Sequence, residues 1–137
     1  MDRKEFCDLL VRSREEAGIG KNEMCRRTGF TFVQLQLIEV KSNNFAMDKA
    51  LHYLNNLDMC LCLEKGGEYQ KILSIASISN WLKNAREGKY SQRALALEIG
   101  CTYSTIANIE RGSNKVTIDK FLRLTDKLGY TIKIESL

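Results

Sequence analysis

The chain has 137 residues, 44% of them hydrophobic and 28% charged, a globular composition that allows one ordinary domain or two small ones. No apolar run approaches the ~20 residues of a membrane span. The opening DRKEF is charged where a signal peptide would be apolar, so a cytoplasmic protein with no membrane partner is expected. Five cysteines, at 7, 25, 60, 62 and 101, form an odd set without a C-x-x-C pair, which is poor material for a disulfide framework or a zinc site. The net charge of +4 is unevenly spread: residues 1–70 carry 10 Lys/Arg against 11 Asp/Glu, and residues 71–137 carry 11 against 6. A basic second half points to a polyanionic partner.

The sequence matches itself at a shift of 71 residues without a gap, and twelve of the 49 positions from 16 to 64 are identical to their counterparts. Among them are Gly29/Gly100, Thr31/Thr102, Ile38/Ile109, Glu39/Glu110, Ser42/Ser113 and Asp48/Asp119. Two copies of one unit are therefore expected, at 1–65 and 74–137, with 3–57 and 74–128 folding alike. In chain order, the first unit should read helix, helix, turn, helix, helix, strand, ending in MCLCLEK (59–65). EKGGEYQ (64–70) follows as a flexible joint marked by paired glycines. In the second unit, SISNWLKNAREG (77–88) is an amphipathic helix. SQRALALEIG (91–100) starts at a Ser cap and stops at a glycine suited to the left-handed conformation. YSTIANIERG (103–112) follows its cap Thr102, and TIDKFLRLTDKLG (117–129) follows a Thr cap. YTIKIES (130–136) alternates apolar and polar residues, which is strand periodicity.

Two short helices joined by a tight turn hold the second one proud of its domain. Gly29 and Gly100 supply the positive φ of that turn. A small residue is needed where the helices cross; Ala96 fits, and Cys25 fills the same place in the first copy. Ile106 and Ile109 anchor the second helix, leaving Ser104, Thr105, Asn108, Arg111, Ser113, Asn114 and Lys115 as a polar set on and beyond its free face. A DNA major groove admits one such helix, and Ser, Thr and Asn both donate and accept hydrogen bonds at base edges. Capping hydroxyls, Arg111 and Lys115 suit the phosphate backbone. Double-stranded DNA is thus the expected partner.

Residues 91–129 resemble the helix-turn-helix of the Cro/C1 repressor class, the XRE family, on Ser91-Gln92, Ala96, Gly100, Ile106 and Ile109-Glu110-Arg111-Gly112. The resemblance implies a mainly α fold of two tandem lambda-repressor-like helix-turn-helix units, each followed by a short strand. It also implies that Gln92 contacts DNA, and that Tyr103, Ser104 and Asn108 read bases. The ending LGYTIKIE (128–135) further resembles HipB-type antitoxins, in which a terminal strand helps pair subunits.

The first copy keeps the scaffold and loses this chemistry. Gly20-Lys21 replace Ser91-Gln92, and Phe32, Val33 and Leu37 replace Tyr103, Ser104 and Asn108. Exposed apolar residues on a helix usually mark a protein contact, so Phe32, Val33 and Leu37 are the candidate protein-binding face, with base reading by this helix as the alternative; Lys21, Arg26, Arg27 and Lys41 remain available to phosphate. Glu39 and Glu110 read as structural ion-pair partners, and His52 as a surface or half-buried residue. Asp58 and Asp126 read as solvated charges. Cys60 and Cys62 read as small buried hydrophobes, too few with His52 for zinc. Neither a nucleophile–base pair, nor a glycine-rich phosphate loop, nor a carboxylate dyad stands in the sequence, so no enzyme, cofactor or metal is expected.

The reading that results is a sequence-specific DNA-binding transcriptional regulator, a repressor by occupation of an operator, acting through the second unit. The alternatives are an antitoxin or mobile-element accessory protein binding a protein through the first unit, and a non-specific architectural DNA binder. The two strands are equivalent under the shift, so either they pair within the chain as a pseudo-dimer or each pairs with its twin in a homodimer.

Overall fold

Asp2, Thr31, Ser74, Ser91, Thr102 and Thr117 each stand in extended conformation ahead of a helix and accept a hydrogen bond from the backbone N–H three residues on. Such caps satisfy donors that a helix start leaves open. The helices they begin belong to two series in the computed structural model of the chain, which describes residues 1–113 and 115–137. The first series is α1 (Arg3–Glu16), α2 (Lys21–Thr28), α3 (Phe32–Glu39) and α4 (Met47–Asn55), followed by β1 (Met59–Lys65). After β2 (Glu68–Ile72), the second series is α5 (Ile75–Arg86), α6 (Gln92–Ile99), α7 (Tyr103–Glu110) and α8 (Ile118–Leu128), followed by β3 (Thr131–Ser136). The architecture is mainly helical with one small sheet. No described helix is long and apolar enough to cross a membrane.

Each α2–α3 and α6–α7 turn closes on a glycine in the left-handed region, Gly29 at φ 78° and Gly100 at φ 75°. A side chain there would be strained by its own Cβ, so the repeated glycine is a requirement of the turn. Helix α5 begins two residues before the sequence reading placed it, because Ser74 caps it.

The EKGGEYQ segment corrects the expectation of a flexible joint. Lys65 pairs with Glu68 across a two-residue loop, with Gly66 at φ 58° and Gly67 at φ 87°. Two positive φ values in a two-residue loop match the twist of a hairpin, and Gly-Gly is a preferred sequence for it. The segment after the loop is β2, which pairs antiparallel with β1.

The sheet order is β2-β1-β3. Strands β1 and β3 pair antiparallel within the chain, with Leu61 opposite Ile134, Cys62 opposite Lys133 and Leu63 opposite Ile132. Met59 stands opposite Ser136, while Tyr130 lies outside the ladder and packs edge-on to Trp81 at 5.4 Å. Trp81 also meets Phe121 at 5.9 Å. A second antiparallel contact joins the two halves at Ala46 and Thr117. There the Met47 N–H donates to the Val116 carbonyl at 2.8 Å, and the Ile118 N–H donates to the Phe45 carbonyl at 3.0 Å. Arg3 adds a link from α1, donating to Asp119 at 2.7 Å and to the Ser42 carbonyl at 2.8 Å.

One hydrophobic core runs through both halves, from Phe6, Met24 and Leu35 to Ile106, Phe121 and Leu124. The first helices depart from the gapless shift. Phe6, Cys7, Leu10 and Ser13 are buried on α1, and Ile78, Ser79, Leu82 and Ala85 are buried on α5, each 72 positions on. The loop that follows absorbs the extra residue: Arg14 donates to the Ile19 carbonyl and Arg86 to the Tyr90 carbonyl.

Candidate nucleic-acid interface

Helix α6 turns its Leu95, Ala96 and Ile99 inward, and α7 answers with Ile106, Ala107 and Ile109. Ala96 is 2% exposed, so the two helices meet where the side chain is smallest. Burying that stripe fixes which face of α7 remains outside. Tyr103, Ser104 and Asn108 are exposed on it, and Arg111 is exposed just beyond its end.

These side chains are already organised. The Thr102 hydroxyl lies 3.1 Å from that of Ser104 and 2.9 Å from that of Thr105, so a cluster of hydroxyls surrounds the N-terminus of α7. The Arg93 guanidinium stands over the Tyr103 ring at 5.1 Å. Arg111 donates to the Asn108 side-chain oxygen, which leaves the Asn108 amide N–H groups turned to solvent partners. The Asn108 carbonyl accepts from the Ser113 N–H at 3.0 Å, and the Ser113 hydroxyl accepts from the Lys115 N–H at 3.2 Å. Asn114 lies outside the described residues. A recess of about 180 Å³ opens beside α7, lined by Thr105, Asn108, Ser113, Lys115 and Lys120.

Ser91 caps α6, and Gln92, expected at DNA, is half-buried and donates to Glu110 at 3.1 Å. Arg86 holds the same carboxylate through both Nε and Nη2, at 2.5 and 2.9 Å. Burial acts to raise the Glu110 carboxyl, but the hydrogen bonds from Arg86 and Gln92 outweigh it and hold the group below its ordinary range. The acid of α7 is thereby spent inside the fold, and the outer face keeps Arg93, Arg111, Lys115 and Lys120. The sequence reading missed Arg93 and Lys120. Lys120 had a signal in the sequence, since its counterpart Lys49 is also lysine.

The first series of helices holds a similar buried ion pair but different surface chemistry. Glu39 receives two hydrogen bonds of 2.8 Å from Arg14 and one of 2.7 Å from the Tyr53 hydroxyl. Burial, then the bond to Glu39, pushes the Tyr53 phenol upward. Lys21 donates to Gln36 at 2.9 Å. The outer face of α3 is apolar: Phe32 is 52% exposed, Val33 67%, Leu37 41% and Val40, just past the helix, 57%. A recess of about 170 Å³ lies beside it in the position of the one at α7, lined by Phe30, Gln34, Leu37, Asn43, Phe45 and Lys49.

Other singled-out residues sit apart from both faces. The His52 ring lies 2.7 Å from the Thr28 carbonyl, and Cys60 and Cys62 are buried on β1. Asp58 is exposed, and Asp126 lies 3.6 Å from the N-terminal amine.

No significant match to a curated protein or to a solved structure was found. The helix-turn-helix family model matches residues 82–134, from the end of α5 into β3, and so takes in the α6–Gly100–α7 geometry. Over that stretch, somewhat more than a third of the chain, the protein is similar to the helix-turn-helix family.

Proposed function

We propose that the chain is a sequence-specific DNA-binding transcriptional regulator that represses by occupying its operator. The carrying observation is the outer face of α7, where Tyr103, Ser104, Asn108 and Arg111 stand exposed beside a recess lined by Lys115 and Lys120. In this reading α7 enters the major groove, with Ser104 and Asn108 at base edges and Tyr103 braced by Arg93. Thr102, Thr105, Ser113, Asn114 and the lysines take phosphate, and Ser91-Gln92 set the start of α6 against the backbone. Gln92 does so with its side-chain oxygen, because its amide is held by Glu110.

We also read residues 1–65 and 74–137 as two copies of one unit, so that one chain forms a pseudo-dimer and favours an asymmetric site. The β1–β3 ladder and the paired bonds at Ala46 and Thr117 support that reading. Selection of bound DNA from a random pool, followed by titration of the selected and a scrambled duplex, tests it. A specific-to-nonspecific ratio of at least ~10³ is expected. A ratio near one would make the chain a non-specific architectural binder.

A second reading, an antitoxin or mobile-element accessory protein with a HipB-like terminal strand, draws on the exposed Phe32, Val33 and Leu37. It requires a partner whose binding is lost when those residues are made polar.

A further inference from the structure

Every exposed residue on the outer line of α7 has an apolar counterpart on α3: Phe32 for Tyr103, Val33 for Ser104, Leu37 for Asn108 and Val40 for Arg111. The substitution is complete along the line, while the capping, the turn and the buried ion pair behind it are kept.

Two contacts fix how the faces are related. Cys62 and Lys133 are opposed in the β1–β3 ladder, Ala46 and Thr117 are opposed at the isolated bridge, and each pair is separated by the same 71 positions. An antiparallel contact between equivalent residues arises from a local two-fold axis, and two such contacts define its line. B-DNA has two-fold axes of its own across its length. Dimeric helix-turn-helix proteins use such an axis to set two recognition helices in successive major grooves, one helical turn apart.

We infer that α3 is a second DNA-reading helix and that its apolar line selects a thymine-rich half-site through contact with the thymine 5-methyl groups. This rests on the reading of α7 as a DNA-binding helix. The major groove displays one apolar group, that methyl, and apolar side chains are its complement. The charges nearest the apolar line suit a DNA occupant, although the half as a whole is not basic and Asp48 is exposed beside Lys49. Lys21, Lys41 and Lys49 flank the apolar line, and Glu23 on α2 is paired with Arg26 at 2.6 Å and Arg27 at 3.3 Å. Four apolar side chains in one row match a groove. A stable protein interface needs on the order of 1,000 Å² or more of buried surface. The recess beside Leu37 gives a methyl group somewhere to sit.

The experiment uses the intact chain. DNA selected from a random pool is expected to contain two unlike half-sites about one helical turn apart, one of them thymine-rich. Uracil is then placed at each thymine of that half-site, removing the methyl and nothing else. Each contacted methyl should cost about fourfold in affinity, the equivalent of one buried CH₂ group. Val33→Ser should weaken the thymine duplex and remove the thymine–uracil difference at the one position that Val33 touches, whereas Asn108→Ala should leave the difference intact at every position. Val33 is 67% exposed, so the variant keeps its urea unfolding midpoint. Selection of the α7 half-site alone, or equal binding of thymine and uracil duplexes, overturns the inference and leaves α3 to a protein partner. If no sequence is selected at all, the reading of α7 fails first and this one with it.

Discussion

Cys62 lies directly across the β1–β3 ladder from Lys133, the residue 71 positions later in the chain. The same separation recurs at Ala46 and Thr117, where the two backbone bonds are reciprocal. In the proposed reading of the chain as two copies of one unit, these contacts are the ones two subunits would make. Pairing within the chain has the advantage of effective concentration over pairing between chains.

The first prediction follows from this. The protein should sediment at low micromolar concentration as a single species of 15.7 kDa. Ile132→Asp places a carboxylate opposite Leu63 and should lower the stability of that monomer. A tight dimer that Ile132→Asp separates into folded monomers would contradict the intrachain sheet.

The second concerns the hairpin. Gly66 and Gly67 both hold positive φ, and an L-residue in the left-handed region costs roughly 1–2 kcal/mol. Replacing both by alanine should cost about 2–4 kcal/mol in urea unfolding. An unstructured joint would show no such loss.

A third concerns the division of labour at α7. Asn108→Ala should cost roughly 1–3 kcal/mol on the selected duplex and relax base choice at one position. Because Arg111 bonds to the Asn108 side chain, Arg111→Ala and Asn108→Ala should combine non-additively. Lys115→Ala and Lys120→Ala should weaken all sequences alike, each lowering the salt slope by about one. Anisotropy titrations at several salt concentrations separate these outcomes.

The fourth concerns the buried pair behind α7. The side chain of Arg86 is 14% exposed and that of Glu110 5%, so Arg86→Ala strands a buried carboxylate and should cost about 3–5 kcal/mol. The Glu110 carboxyl is held below its ordinary value of 4.5, so the unfolded chain takes up a proton first as pH falls. The contribution of Glu110 is complete above that value and is lost as pH drops from it through the lower folded-state value. Urea midpoints at neutral pH and near pH 3 should converge for the wild type and Glu110→Gln. A difference that stayed constant with pH would refute the assignment.

The sequence by itself determined the local elements. Caps such as Thr31 and Thr102, and the glycines 29 and 100, act through backbone groups within a few residues, so their meaning is readable from neighbours. The matched order of helices, the strand periodicity of 59–65 and 130–136 and the polar line of α7 were legible for the same reason. The Gly-Gly hairpin is equally local, but paired glycines suit a flexible joint as well as a tight turn, and the pairing of β1 with β2 decides for the turn. The 72-residue register of α1 and α5 was not legible, because only packing against the core shows which faces of the two helices correspond. Nor were the stacking of Arg93 on Tyr103, the capture of Gln92 by Glu110, or Lys120 beside Asn108. Those neighbours come from different helices, and their meeting depends on the crossing of the helices. The two-fold contact between Cys62 and Lys133 belongs to the same class. Either strand could satisfy its backbone with its twin in another chain or with its counterpart in the same one, and only the packed chain decides between them.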